Sequence, residues 1–149
     1  MCFREDMQSI REQIDTITET IIGGAICVHQ TLGPGLLESV YRDCLQIELR
    51  MKGLHVESGR MVPIEYCGHR INADLQLDLL VEQRVVVEVK AVARMHPVHQ
   101  AQVITYLKLT GFPAGLLLNF NATTLRAGLK RLDHPDLYIR KNWNAGSTP

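Results

Sequence analysis

Asp78-Leu79-Leu80-Val81-Glu82-Gln83-Arg84-Val85-Val86-Val87-Glu88-Val89-Lys90 reads as two apolar strands joined by a short polar turn. Strand side chains alternate between faces, so Leu75, Leu77, Leu79 and Val81 are expected on one side of the sheet and Asp74, Gln76 and Asp78 on the other. Glu88 and Lys90 share a face by the same parity. With Glu82, Gln83 and Arg84 as a three-residue loop, Val81 pairs with Val85, and counting back sets Asp78 opposite Glu88. One face then carries two carboxylates and an ammonium. Like charges directly opposite across a ladder destabilise it, so a compensating group is expected. Lys90 supplies part of the compensation. A divalent cation held by both carboxylates supplies more, because Mg²⁺ typically takes one or two carboxylates plus water and phosphate oxygens. The hairpin by itself equally suits, and more often means, a solvated sheet face on which Glu88 and Lys90 only maintain solubility.

The chain has 149 residues, one domain's worth, and is long enough to bury a core. Lysine plus arginine and aspartate plus glutamate each total 16, so the formal net charge is zero and exerts no global pull on nucleic acid or an anionic membrane. Any such binding has to be local. Residues 1–50 hold 4 basic and 8 acidic side chains and residues 121–149 hold 5 basic and 2 acidic, which makes the C-terminal part the expected phosphate-facing side. Cys2, Cys27, Cys44 and Cys67 show no paired Cys-x-x-Cys spacing and read as reduced thiols of a cytoplasmic protein. Arg4, Glu5 and Asp6 argue against a signal peptide, and no apolar run reaches the length of a membrane span.

Upstream of the hairpin, Ser9-Ile10-Arg11-Glu12 is a capping-box pattern that predicts a helix start after an N-terminal arm of residues 1–8. Ile10, Ile14, Ile17, Ile21, Ala25 and Val28 continue at helical spacing to a stop at Gly33-Pro34, and Gly23-Gly24 suggests close packing within that helix. Gly35-Leu36-Leu37-Glu38-Ser39-Val40-Tyr41 opens a second helix ending near Lys52-Gly53, with Leu37, Val40, Cys44 and Ile47 as the expected core stripe. Glu38 reads either as a first-turn carboxylate favoured by the helix dipole or as a further acid aimed at the charged hairpin face. Strands are expected at 54–56, 62–66 and 71–81, with a turn at Cys67-Gly68-His69.

Downstream, Pro97 predicts the first residue of a third helix running to Thr110 and stopped by Gly111. His99, Gln102 and Tyr106 form its polar-aromatic stripe, and Val103, Ile104 and Leu107 its buried side. His96 and His99 lack a third ligand and read as surface or supporting residues. Ala114 to Phe120 is a buried strand, and Thr123 or Thr124 is expected to cap a last, basic helix with Arg126, Lys130 and Arg131. Leu137 to Arg140 reads as a short extra strand or packing segment, and the chain ends in a loose tail over 141–149. Strands between helices, with a later strand reached through a helix, give an α/β sandwich around a mixed sheet. There is no Gly-x-x-x-x-Gly-Lys loop, no Gly-x-Gly-x-x-Gly and no serine in a nucleophile-elbow context, which removes the usual nucleotide-binding and acyl-transfer readings.

Asp78 with Glu88-Val89-Lys90, an acidic residue on a preceding helix and a glutamine on the following one, resembles the PD-(D/E)XK nuclease superfamily. More narrowly, Gly35-Leu36-Leu37-Glu38-Ser39-Val40-Tyr41 matches the pattern that names the GxxExxY family. Asp78-Leu79-Leu80-Val81, Glu88-Val89-Lys90-Ala91, His99-Gln100-Ala101-Gln102 with Tyr106-Leu107, and Gly115 to Phe120 follow in that family's order. The resemblance spans residues 10–132 and implies a single-domain, restriction-endonuclease-like αβα sandwich over residues 9–140, its central mixed sheet flanked by helices.

It also implies roles. Asp78 and Glu88 would hold Mg²⁺, for which Mn²⁺ can substitute, helped by the main-chain carbonyl of Val89. Lys90 would orient or activate the attacking water and offset charge on the phosphate. Glu38 would join the metal shell directly or through water, and Gln102 and Tyr106 would support the lysine and the nucleic-acid strand. Leu77 stands where proline is usual, and Glu57-Ser58-Gly59-Arg60 lacks a glutamine expected of relatives. The function so implied is a Mg²⁺-dependent nuclease acting on DNA rather than RNA, as a homodimer that encloses duplex. The alternative is a catalytically silent binding or assembly module that keeps the fold.

Overall fold

The polar turn closes as the spacing predicts: Val81 pairs with Val85, Leu80 with Val86 and Leu79 with Val87 across the hairpin of β4 (Gln76–Val81) and β5 (Val85–Lys90). Glu82 and Gln83 both take left-handed backbone angles, with φ of 53° and 54°, a conformation that costs energy without glycine. The neighbouring edge strand offsets that cost. Glu82 donates its amide to His55 O at 2.9 Å and accepts the His55 amide on Oε1 at 2.7 Å, while Gln83 bridges Glu57 and Arg60. Glu57 and Arg60 therefore act here as a clamp on the turn.

The computed structural model describes residues 2–137. Ahead of the hairpin lie α1 (Cys2–Leu32), α2 (Glu38–Met51), β1 (Val56–Met61), β2 (Ile64–Tyr66) and β3 (His69–Ile71). After it come α3 (Pro97–Thr110), β6 (Ala114–Asn119), a single 3₁₀ turn at Arg126–Gly128 and β7 (Leu129–Asp133). The main sheet is ordered β1-β4-β5-β6-β7, with β2 and β3 forming a separate two-stranded ribbon. β5 and β6 pair in parallel, which α3 makes possible as the crossover, and the remaining pairings are antiparallel. The mixed sheet lies between α1 and α2 on one face and α3 on the other, the expected αβα architecture.

Packing follows strand parity in β5. Val85, Val87 and Val89 meet Ile14, Tyr41 and Leu45 on the α1/α2 side, and Val86 meets Val103, Tyr106 and Leu107 on the α3 side. In β4 the alternation slips. Leu79 and Val81 join the α1/α2 core, but Leu77 lies with Leu80 in the α3 core and Leu75 packs against it, so the four leucine and valine positions do not share a face. The slip falls at Asp78, opposite Gly59, whose φ is +70°, where no β1–β4 pair forms between Ser58↔Leu79 and Arg60↔Leu77.

Several other expectations are corrected. α1 begins at Cys2 and runs through Ser9, whose hydroxyl accepts from Gln13 instead of capping. The core stripe of α2 is Tyr41, Leu45 and Leu49; Leu37, Val40 and Ile47 are exposed. Gly24, not Gly23, marks the close approach of α1 and α2, since a Cβ there would stand 2.9 Å from Leu49 Cδ2. The first strand is 56–61 rather than 54–56, because an edge strand tolerates the polar Glu57-Ser58-Gly59-Arg60 run. The 71–81 strand is broken, with Asp74 at positive φ. Ile104 is only partly buried. The last basic helix is a 3₁₀ turn followed by a strand: Thr124 Oγ1 accepts the Ala127 amide, and Arg131 on β7 pairs with Asp15 at 2.6 Å and Asp133 at 3.2 Å. Leu137 is buried, and the rest of the expected 137–140 segment lies outside the described residues. Among the described residues no helix is long and apolar enough to cross a membrane.

Tyr41 shows how the α2 entry is built. Its hydroxyl donates to Gly33 O at 2.5 Å and accepts the Leu36 amide at 3.0 Å, and its ring stacks on Phe120 with centroids 4.7 Å apart. The turn it pins requires Gly35 at φ +101°. Tyr41→Phe is expected to keep the stacking and release the turn, lowering stability by about 1–2 kcal/mol in urea unfolding. An unchanged midpoint would mean that the turn holds without the hydroxyl.

Candidate active site

Beyond the Leu79↔Val87 pair, carboxylates take the place of the ladder between β4 and β5. Asp78 Oδ2 accepts the Val89 amide at 2.9 Å, and Glu88 Oε1 accepts the Asp78 amide at 3.3 Å. Each acid is thereby oriented by the other's strand, which holds two carboxyl groups together at the end of the hairpin. Asp78 is half-buried and Glu88 is buried. Burial, and then the Asp78 charge, push the Glu88 carboxyl up to about 8 against the opposing pull of Lys90. Without a cation, burial and the neighbouring charge therefore favour the protonated form of Glu88.

α3 forms the opposite wall. Any side chain at position 115, even alanine's, would crowd it, since a Cβ on Gly115 would stand 2.7 Å from Val103 Cγ1; the glycine lets the helix sit close over β6. This brings Lys90, His99, Gln102 and Tyr106 to one open groove of about 620 Å³, whose remaining lining includes Leu75 and Val98. Gln102 Nε2 donates to the Tyr106 hydroxyl at 2.8 Å. Burial and the charges of Glu88 and Asp78 raise the Tyr106 phenol above its ordinary value, so it remains protonated and can donate. Lys90, Gln102, Tyr106, Asp78 and Glu88, far apart in sequence, thus converge on one end of the sheet.

A family model for the PD-(D/E)XK nuclease superfamily matches residues 15–132. The chain belongs to that superfamily. No curated protein and no solved structure matches it. Members of the PD-(D/E)XK superfamily generally use divalent metal ions. The donor set fits one in kind: two converging carboxylates, one of them pushed toward its protonated form by burial and by its neighbour's charge, suit a hard cation that keeps much of its water.

Glu38 stands exposed at the start of α2, and among the described residues no group of three or more His, Cys, Asp and Glu side chains is close enough to hold a metal. Gly35 and Tyr41, which flank it in the sequence pattern, shape and pin the turn before the helix. The side chain of Val89 is buried on the α1/α2 side, so only its main chain faces this chemistry.

One supporting residue was not singled out from the sequence. Asn119, opposite Lys90 in the β5–β6 register, accepts the Val92 and Asn121 amides and donates to Val92 O, fixing the chain as it leaves Lys90. An asparagine closing an all-apolar strand was the available signal. His99, expected as a surface or supporting residue, lines the groove and accepts the His96 amide on Nδ1 at 3.1 Å, capping α3.

Proposed function

We propose that this protein is a Mg²⁺-dependent nuclease of the GxxExxY type that hydrolyses phosphodiester bonds of DNA and acts as a homodimer. The observation that carries the reading is the convergence of Asp78 and Glu88 beside a groove walled by Lys90, Gln102 and Tyr106. Asp78, Glu88 and the Val89 carbonyl would hold the ion, with Mn²⁺ able to replace Mg²⁺, and Glu38 would contribute directly or through water from the start of α2. The ion supplies Lewis-acid stabilisation of charge on the phosphate. Lys90 orients the attacking water and donates to the phosphoryl oxygens. Gln102 and Tyr106, already hydrogen-bonded to each other, hold the lysine and the adjacent strand in place. Free thiols at Cys27, Cys44 and Cys67 support a reducing, cytoplasmic setting.

The test is incubation with labelled single- and double-stranded DNA, and RNA in parallel, with Mg²⁺ or Mn²⁺. Cleavage of DNA that disappears with chelator and falls by about 10³-fold in Asp78→Asn is expected. Cleavage that survives the substitution, or a preference for RNA, overturns the corresponding part of the reading. The zero net charge favours a second reading, a silent assembly module, which calorimetry showing no Mn²⁺ binding would support.

A further inference from the structure

α2 carries two apolar stripes and the fold uses one. Tyr41, Leu45 and Leu49 enter the core, whereas Leu37 is 74% exposed, Val40 38%, Ile47 60% and Met51 77%, with the half-buried Cys44 between them. The unused residues fall at positions 37, 40, 44, 47 and 51. Those intervals of three and four are the seam of a two-helix coiled coil. Leu32 and Leu36, also exposed, extend the apolar surface past the N-terminal end of the stripe.

We infer that two copies of this chain pair antiparallel through this face of α2. The charges bordering the seam select the partner and its direction. Asp43 and Arg50 lie on one border; on the other Glu48 lies beside Gly24 of α1, while Tyr41 turns into the core. In an antiparallel pair with Val40 against Met51 and Cys44 against Ile47, Asp43 of each copy meets Arg50 of the other, twice by symmetry. In a parallel pair Asp43 would instead meet Glu48, a like-charge contact. A second copy in antiparallel orientation is therefore the occupant whose charges match.

The groups facing these charges on their own chain leave them usable. Asp43 is 66% exposed with Arg42 Nε at 3.4 Å, and Arg50 spends one of its donors on Val56 O at 3.2 Å. The helix is about 21 Å long, and because the core already holds it folded, pairing bears no nucleation cost. The inference names the face of the homodimer proposed above and does not depend on chemistry at Asp78 and Glu88.

Sedimentation equilibrium of the full chain tests it. The wild-type protein is expected to be dimeric at concentrations on the order of 10 μM. Ile47→Glu should be a folded monomer, with an unchanged circular dichroism spectrum confirming that the exposed position was not needed for folding. Asp43→Arg should weaken the dimer by about tenfold or more, and the Asp43→Arg/Arg50→Asp exchange should return it to within about threefold of wild type. A monomeric wild type, whatever other partner covers α2, overturns the inference, as does a dimer indifferent to Ile47→Glu or to Asp43→Arg, or one that the charge exchange does not restore. Cleavage by a monomer would remove the interface and leave the nuclease reading standing; a dimer without cleavage would do the reverse.

Discussion

Lys90→Ala is expected to reduce divalent-ion-dependent phosphodiester cleavage by about 10³-fold, a loss typical of removing one charge-stabilising or proton-handling group. Lys90 ends β5, and its carbonyl accepts the Phe120 amide at 2.9 Å, so the strand end persists without the side chain. What disappears is the ammonium at the mouth of the groove, beside Gln102 and Tyr106. Mn²⁺ affinity should change little, because the carboxylates stay oriented by the Val89 and Asp78 amides. Lys90→Arg should not restore the rate, since a guanidinium keeps its proton and presents a wider, planar fork. A variant that loses Mn²⁺ binding and cleavage together would place Lys90 in holding the ion rather than in the reaction.

Glu88→Gln should separate stability from function. A carboxyl raised from 4.5 to about 8 by folding favours the native state while protonated; that contribution is present below pH 4.5 and is lost as pH rises to about 8. The metal-free protein is therefore expected to lose stability between pH 5 and pH 8, on the order of 3 kcal/mol, or about 8 °C in Tm. Glutamine mimics the protonated acid, so Glu88→Gln should flatten that slope and melt higher than wild type at pH 8. The same substitution should weaken Mn²⁺ binding by about 10²-fold or more, since an amide cannot supply the charge. Added Mn²⁺ should raise the wild-type Tm at pH 8 and leave that of the variant unchanged. An equal pH slope in both proteins would show that the titration belongs elsewhere.

The hairpin, the Pro97–Thr110 helix and the buried β6 strand were legible because their signals are local: a turn flanked by apolar runs, proline at a helix start and glycine at its end. β1 was not, because an edge strand needs pairing on only one side and carries the polar residues that clamp the turn. The α2 face was misread for a related reason. Leu37, Val40, Cys44 and Ile47 form as regular a stripe as Tyr41, Leu45 and Leu49, and periodicity cannot say which of two apolar stripes meets the sheet. Thr123 and Thr124 suggested a helix cap, yet the chain makes one 3₁₀ turn and returns as β7, since β6 needs a partner on its outer side.

At the site, the approach of Asp78 to Glu88 was readable from the loop length, because a three-residue turn fixes the register as far as Leu79↔Val87, whereas the slip of faces at Asp78 was not. The depth of Glu88, and hence its raised proton affinity, depends on tertiary packing around the sheet, which no local pattern encodes. Asn119 escaped notice because its work is on main-chain groups that the sequence does not display.

The most direct measurement is anomalous diffraction from crystals of the full chain soaked in Mn²⁺ near pH 8. The account predicts a single strong peak between the Asp78 and Glu88 carboxylates, with the Val89 carbonyl among its ligands, and no such peak in Glu88→Gln. Crystals without density there, while calorimetry at the same pH also detects no Mn²⁺ binding, would contradict it.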